Sequence, residues 1–153
     1  MLETPHVALG AAIAINVGNP LLALPLSLFS HFLLEPLPHW NPHTYTEVTT
    51  KGKLSKATVA IIWADALTGL FLGLWLALQT LPDKQRFLQV IFACFLAVLP
   101  DLIEAPFFFF GWKPKILMKL IQFQRSIQYD VSWLPGLIFQ AIVVLILVNW
   151  AIQ

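Results

Sequence analysis

The chain has 153 residues, of which 58% are hydrophobic and only 11% are Asp, Glu, Lys or Arg. An ordinary soluble domain is about 45–50% apolar and about 25% charged, so this composition excludes a typical soluble domain and a disordered chain. The net charge of +1 excludes the basic field of a nucleic-acid-binding protein, and a single cysteine excludes an internal disulfide. These bounds predict one small integral membrane domain over 1–153.

The first apolar stretch is broken by the Gly-Asn-Pro sequence at 18–20. The piece before the break, 5–17, would be only ~20 Å long as a helix, which is short for a membrane span. It is therefore predicted to be a half-helix or a re-entrant limb. The piece after the break, 20–35, is predicted to be a longer transmembrane helix that ends before Pro36 and Pro38.

Three further apolar stretches each reach the ~20 residues that a membrane span requires. They cover 57–82, 87–112 and 131–153. The predicted fold class is therefore all-α: a polytopic helical membrane protein with about four longer transmembrane helices behind the short N-terminal limb. The bilayer itself is the first predicted partner, and no feature of the sequence indicates an oligomeric state.

Residues 114–128, between the last two apolar stretches, have the pattern of an amphipathic helix. Ile116, Leu120 and Phe123 follow one helical stripe, and Lys115 and Lys119 follow another. A basic stripe opposite an apolar stripe is typical of a helix that lies in the membrane headgroups. We therefore predict an interfacial helix here, although a solvated linker helix would have the same pattern.

The basic residues are divided unequally between the two sides of the predicted bundle. The loops 36–56 and 113–130 lie on one side and carry seven of the nine Lys and Arg residues, and the opposite side carries Lys84 and Arg86. The positive-inside rule makes the seven-residue side cytoplasmic. The predicted location is the cytoplasmic membrane, with the N-terminus in the cytoplasm and the C-terminus outside.

Several ionisable residues fall inside or beside the apolar stretches, where they are candidates for function because burying them in a bilayer is unfavourable. At ~1.5 Å of helix rise per residue, all of them lie in the half of the membrane nearest the cytoplasm. They are His6, His31, Glu35, Asp65, Asp101 and Glu104, with His39 and His43 just outside and Gln140 in the last apolar stretch.

The spacing of these residues suits a metal site. His31 and Glu35 are four residues apart, and Asp101 and Glu104 are three apart, so each pair shares one helix face. The prolines after Glu35 can turn the chain back and bring His39 over the same site. Each residue taken alone has a plainer explanation: a packed histidine, a solvated helix end or a structural carboxylate.

Imidazoles combined with carboxylates suit Zn²⁺, Mn²⁺ or Fe²⁺ better than Mg²⁺ or Ca²⁺. The predicted cofactor is a divalent transition metal, zinc or manganese. Such an ion lowers the pKa of a bound water, and a carboxylate that does not bind the ion can act as general base. The carboxylates predicted for catalysis are Glu35, Asp65 and Glu104.

Three segments resemble the small multi-span bacterial proteins classed as predicted membrane-bound metal-dependent hydrolases. They are Thr4-Pro-His-Val-Ala-Leu-Gly10, the run from Ser30-His31 to His39-Trp40, and Pro100-Asp-Leu-Ile-Glu104. This resemblance implies a helical membrane fold and a metal-dependent hydrolytic activity. It also implies the metal ligands, which would be His6, His31, Glu35, His39 and Asp101.

Three functions are therefore open at the level of sequence. The first is a membrane-embedded hydrolase with a site that faces the cytoplasm, acting on a lipid-linked ester or phosphoester. The second is a small proton- or ion-coupled transporter, in which Asp101 and Glu104 would carry charge. The third is a non-catalytic membrane scaffold subunit. The outer half of the predicted bundle offers few polar residues, which favours a closed site over a path across the membrane.

Overall fold

The computed structural model describes residues 1–153 and is all-α apart from one short pair of strands. Seven α-helices follow one another along the chain, with strand β1 after α2 and strand β2 after α6. The elements are α1 (Glu3–Asn16), α2 (Pro20–Leu34), β1 (Pro38–His39), α3 (Thr44–Lys51), α4 (Lys56–Leu78), α5 (Lys84–Phe110), α6 (Lys115–Ile127), β2 (Tyr129–Asp130) and α7 (Trp133–Ile152).

Helix α1 lies at the centre of the bundle and packs against α2, α4, α5 and α7. Its small residues allow this close approach: a Cβ atom added at Gly10 would lie 2.8 Å from the carbonyl oxygen of Ala93 in α5. On the other side, Gly69 and Gly73 of α4 face Val7, an arrangement of small residues common between membrane helices. The segment predicted as a half-helix or limb is thus the central helix of the bundle.

Neighbouring helices supply hydrogen bonds to both ends of α1, where a helix lacks partners of its own. At its first turn, the backbone N–H groups of Glu3 and Thr4 donate to the carboxylate of Asp65 in α4. At its last turn, Arg86 and Gln89 of α5 donate to the carbonyl oxygen of Ala14. These bonds satisfy several of the backbone groups that the 14-residue helix leaves without partners at its ends.

Helices α4, α5 and α7 are long and apolar enough to cross a membrane. They correspond to the three longest apolar stretches of the sequence, and many of their large apolar side chains are exposed, as lipid-facing side chains are. Helix α2 is also apolar but has only 15 residues, and a full span requires about 20. Its length is ~22 Å, whereas the hydrocarbon core is ~30 Å thick. The chain is therefore a membrane protein with three candidate spans, and a fourth span stays a prediction.

The loop predicted as a polar linker over 36–56 contains the short helix α3. Val48 of α3 packs on Phe107 at the end of α5, together with Leu117 and Ile121 of α6. Strands β1 and β2 pair in parallel, with His39 opposite Asp130, and join this loop to the connection between α6 and α7. The hydrophobic side of α3 escaped the prediction because one buried valine in eight residues gives no periodic signal.

The helix predicted over 114–128 is present as α6. The side of α6 that packs on the protein is neither the predicted apolar stripe nor the predicted basic stripe. Leu117, Ile121 and Gln124 are buried, whereas Ile116 is 82% exposed and Phe123 is 51% exposed. The apolar stripe thus faces away from the bundle, as an interfacial helix requires. Its placement in the headgroups stays a prediction.

Candidate metal centre

Two buried histidines and an aspartate from three different helices lie together near one end of α1. His6 of α1, His31 of α2 and Asp101 of α5 each have a ligand atom within 4.8 Å of those of the other two. The two imidazole rings stack with their centroids 4.1 Å apart, and His31 Nε2 lies 3.6 Å from Asp101 Oδ1. These three residues are all among the ligands implied by the resemblance.

The His31 ring is fixed by a partner at each nitrogen. Its Nδ1–H donates to the carbonyl oxygen of Ala97 at 2.8 Å, and its Nε2 lies 2.8 Å from Gln124 Oε1. The Nδ1 contact orients the ring so that Nε2 points toward Asp101. A histidine that binds a metal through one nitrogen commonly donates from the other to a backbone carbonyl in this way.

Glu35 lies beside His6 instead of beside His31 and Asp101. Its Oε1 accepts hydrogen bonds from His6 Nε2 at 3.2 Å and from the Met1 amino group at 2.6 Å. The sequence placed Glu35 on the same helix face as His31, but Glu35 follows the last residue of α2, where the chain turns toward β1. The structure therefore brings Glu35 to the site through His6.

His39 reaches Glu35 because the chain turns back after α2, as the prolines predicted. Its Nε2 lies 3.9 Å from Glu35 Oε2, and its Nδ1–H donates to the carbonyl oxygen of Leu37 at 2.7 Å. Burial of the ring, and then the positive Met1 amino group, hold the pKa of His39 below its ordinary value. The neutral ring thus has an available lone pair at Nε2.

Gln124 of α6 connects the histidine to both acids, and sequence reasoning missed it. Its Nε2 donates to Asp101 Oδ1 at 3.1 Å and to Glu104 Oε1 at 2.5 Å. Gln124 follows Ile121 by three residues and Leu117 by seven, so it continues the buried stripe of α6. A glutamine at the end of an apolar stripe is the signal that could have revealed it.

Three buried polar atoms around His6 have no hydrogen-bond partner in the structure, and Glu3 Oε2 near Asp101 is a fourth. The first three are His6 Nδ1, Glu35 Oε2 and His39 Nε2. Unpaired buried polar atoms are rare in folded proteins, and each one indicates strain, a bound group or a catalytic role. All three of their residues are at most 1% exposed.

The other residues singled out in the sequence have different surroundings. Asp65 binds the first turn of α1, and the Thr4 hydroxyl also donates to it at 2.6 Å. Gln140 accepts from the Leu2 N–H and donates to the Trp40 carbonyl oxygen, so it fastens α7 to the start of α1. His43 is half-exposed and lies 3.9 Å from Asp130. Catalysis by Asp65 stays a prediction.

A cavity of about 710 Å³ borders the acidic side of this site. Asp101, Glu104 and Gln124 line it at one end, together with Glu3 and Asp65. From there the cavity continues between α4 and α5 over apolar side chains. His6 and His31 do not line the cavity, so it reaches the candidate centre through Asp101.

Comparisons with family models, with curated proteins and with solved structures found no match to this chain.

Proposed function

We propose that this protein is a membrane-embedded metal-dependent hydrolase, with a metal bound by His6, His31 and Asp101. The observation that carries the proposal is the convergence of two buried imidazoles and a carboxylate from three helices. Two nitrogens and one oxygen from protein side chains are a common set for catalytic zinc, which keeps a further position open for water. When bound, such an ion supplies a water of lowered pKa as nucleophile.

The surroundings of the two histidines support this assignment. His6 donates from Nε2 to Glu35, so its unpartnered Nδ1 is the nitrogen available to a metal. His31 donates from Nδ1 to a backbone carbonyl, so a metal would bind at its Nε2 in place of the contact with Gln124 Oε1. A carboxylate or carbonyl behind each ligating imidazole is the usual outer partner of a metal centre. In this proposal Glu35 orients His6 and does not bind the ion.

One distance between two of the proposed ligand atoms is close to that of a zinc site. Two ligand atoms of a tetrahedral zinc with bonds of ~2.1 Å lie ~3.4 Å apart, and His31 Nε2 and Asp101 Oδ1 are 3.6 Å apart.

Glu104 is the carboxylate that we assign as general base. It is buried, lines the cavity, and lies one helical turn from Asp101 on the same face of α5. Gln124 Nε2 donates to Glu104 Oε1 and holds this carboxylate beside Asp101, the proposed metal ligand. A substrate in the cavity would therefore meet Glu104 and Asp101 at the same end.

At the opposite end of the bundle, the buried polar side chains do not extend the candidate centre into a path across the membrane. This disfavours a transport function. The main buried polar side chain at that end is Gln89, which donates to the carbonyl oxygens of Ala14 and Val17. Arg86 likewise donates to Ala14 and Ile15. These side chains are occupied by the last turn of α1 and are therefore assigned a structural role.

The test is the metal content of the purified full chain after supplementation with zinc. We expect about one zinc per chain, and loss of that zinc in His6→Ala, His31→Ala and Asp101→Asn. The matched control variants are His43→Ala and Asp130→Asn, which remove the same side-chain types outside the centre and are expected to retain zinc. Absence of divalent metal in the supplemented parent, or zinc retained in all three centre variants, would contradict the proposal.

A further inference from the structure

The cavity beside the candidate centre continues as a groove between α4 and α5. Val7 of α1 lines its floor together with Gly69 and Gly73 of α4, which pack closely against Val7. Its walls carry large apolar side chains such as Leu70 and Phe95, which are about half exposed. This groove is therefore apolar, faces outward from two candidate membrane spans, and ends at carboxylates.

The length of the groove matches one acyl chain. From Asp65 to Leu74, both of which line it, the groove follows α4 for ~14 Å at the rise of an α-helix. One leaflet of the hydrocarbon core is ~15 Å thick, which is the depth that a lipid chain occupies. A chain lying in the groove would thus have its polar end beside Asp65 and Asp101.

The charge at that end selects the headgroup. Five carboxyl groups line the cavity, those of Glu3, Asp65, Asp101, Glu104 and Asp130. Arg125 is the only Lys or Arg among its lining residues, and its guanidinium lies over the Tyr45 ring, 3.8 Å from the centroid. The Met1 amino group, the other cation nearby, is bound by Glu35. The three aspartates among these carboxyl groups, Asp65, Asp101 and Asp130, complement a positively charged headgroup.

We infer that the α4–α5 groove binds the acyl chain of a membrane lipid whose headgroup carries an amine. The two parts of the binding site are the apolar groove, which holds the chain, and the carboxylate end, which holds the ammonium. Lipid binding does not require the metal, and Asp101 belongs both to the carboxylate end and to the proposed metal ligands. The assignment of a substrate class, an amine-bearing lipid ester or phosphoester, rests on the proposed function.

The experiment is lipid binding to the full-length protein in detergent, measured by native mass spectrometry. Phosphatidylethanolamine is compared with phosphatidylglycerol of the same acyl chains, and with the soluble headgroup glycerophosphoethanolamine. We expect phosphatidylethanolamine to remain bound preferentially, and the soluble headgroup to compete poorly because it lacks the chain. Equal binding of the two lipids, or equal competition by the soluble headgroup, would overturn the inference.

Two variants narrow the groove from opposite walls, and one matched variant does not. Ala66→Phe in α4 and Val98→Phe in α5 each place a larger side chain among the lining residues. Ala64→Phe places the same ring on an exposed position of α4 outside the lining. We expect phosphatidylethanolamine affinity to fall about tenfold or more in the groove variants and to be unchanged in Ala64→Phe.

Size-exclusion profiles of the three variants establish that each is folded. Unchanged lipid affinity in both folded groove variants would overturn the inference. Each measurement is made on metal-free and on zinc-supplemented protein. Selective lipid binding in a protein that takes up no zinc would support the groove and contradict only the proposed hydrolase. Zinc bound at the centre with no lipid preference would support the proposed metal site and overturn the inference about the groove.

Discussion

At the scale of single residues, the candidate centre depends on side chains that hold other side chains in place. Gln124 contacts His31, Asp101 and Glu104 at once, although it lies on a helix that contributes no other group to the centre. Buried acids that lose their only donor retain the full penalty of desolvation. The single amide of Gln124 thus donates a hydrogen bond to each of two neighbouring carboxylates.

Replacement of Gln124 by leucine is expected to lower the free energy of unfolding by about 1–3 kcal/mol, because it leaves Asp101 and Glu104 without a donor. The measurement is unfolding in mixed micelles with increasing SDS. Gln122→Leu on the exposed side of the same helix is the control and should change stability little. Equal stability of the Gln124→Leu variant and the parent would show that the amide is not needed to hold the two acids.

Replacement of Glu35 by glutamine distinguishes an orienting residue from a ligand. If Glu35 orients His6, the variant should still bind zinc at saturation but with affinity lower by about 10- to 100-fold. Zinc titration against a competing chelator gives the affinity and the stoichiometry together. Glu47→Gln, at a carboxylate remote from the centre, should leave both unchanged. Complete loss of zinc at saturation would instead make Glu35 a ligand.

At the scale of elements, α1 shows how a short helix can occupy the centre of a membrane bundle. Its length is insufficient for a full span, and its ends would leave backbone groups unpaired in an apolar surrounding. Asp65 and Gln140 bind its first N–H groups, and Arg86 and Gln89 bind its last carbonyls. Polar residues of the neighbouring helices thus complete the hydrogen bonding of α1.

Replacement of Asp65 by alanine should therefore destabilise the protein through α1. Loss of a carboxylate at a helix N-terminus lowers stability by about 1–2 kcal/mol. Thr68→Ala, one turn away on the exposed side of α4, is the control. Unfolding in mixed micelles is the measurement, and it is accompanied by zinc content, which we expect to be unchanged. An Asp65→Ala variant that keeps its stability but loses hydrolytic activity would instead support the predicted catalytic role of Asp65.

At the scale of the whole molecule, the polar centre lies at one end of the bundle, where the start of α1 meets the end of α2. The contact between Met1 and Glu35 places these two ends together. The start of α1 and the loop after α2 therefore lie at the same end of the bundle, and their side of the membrane stays a prediction. The loops at that end carry seven of the nine Lys and Arg residues, which predicts that the end faces the cytoplasm.

Cysteine labelling tests this orientation. A membrane-impermeant maleimide on intact cells should label Gln85→Cys, at the start of α5, and should label Thr49→Cys and Lys119→Cys only after permeabilisation. These three positions are exposed. The natural Cys94 is buried, so the unsubstituted chain serves as the unlabelled control. Labelling of Thr49→Cys in intact cells would reverse the predicted topology.

The sequence by itself determined the class of protein and the position of its longest helices. Apolar stretches of about 20 residues or more predict membrane-spanning helices. The positions of α4, α5 and α7 could therefore be predicted within a few residues. The ionisable residues within these stretches were readable too, because a charge in an apolar segment stands out against its neighbours. His6, His31 and Asp101, found in this way, meet in the structure.

The tertiary structure alone decided what each polar residue does. Asp65 and Asp101 look alike in the sequence, since each is an acid within an apolar helix, yet one binds the first turn of α1 and the other faces a histidine. The difference depends on which side of each helix faces α1. Helices that are apolar all round carry no periodic signal of their orientation, so packing of small residues around Gly10, Gly69 and Gly73 decides it.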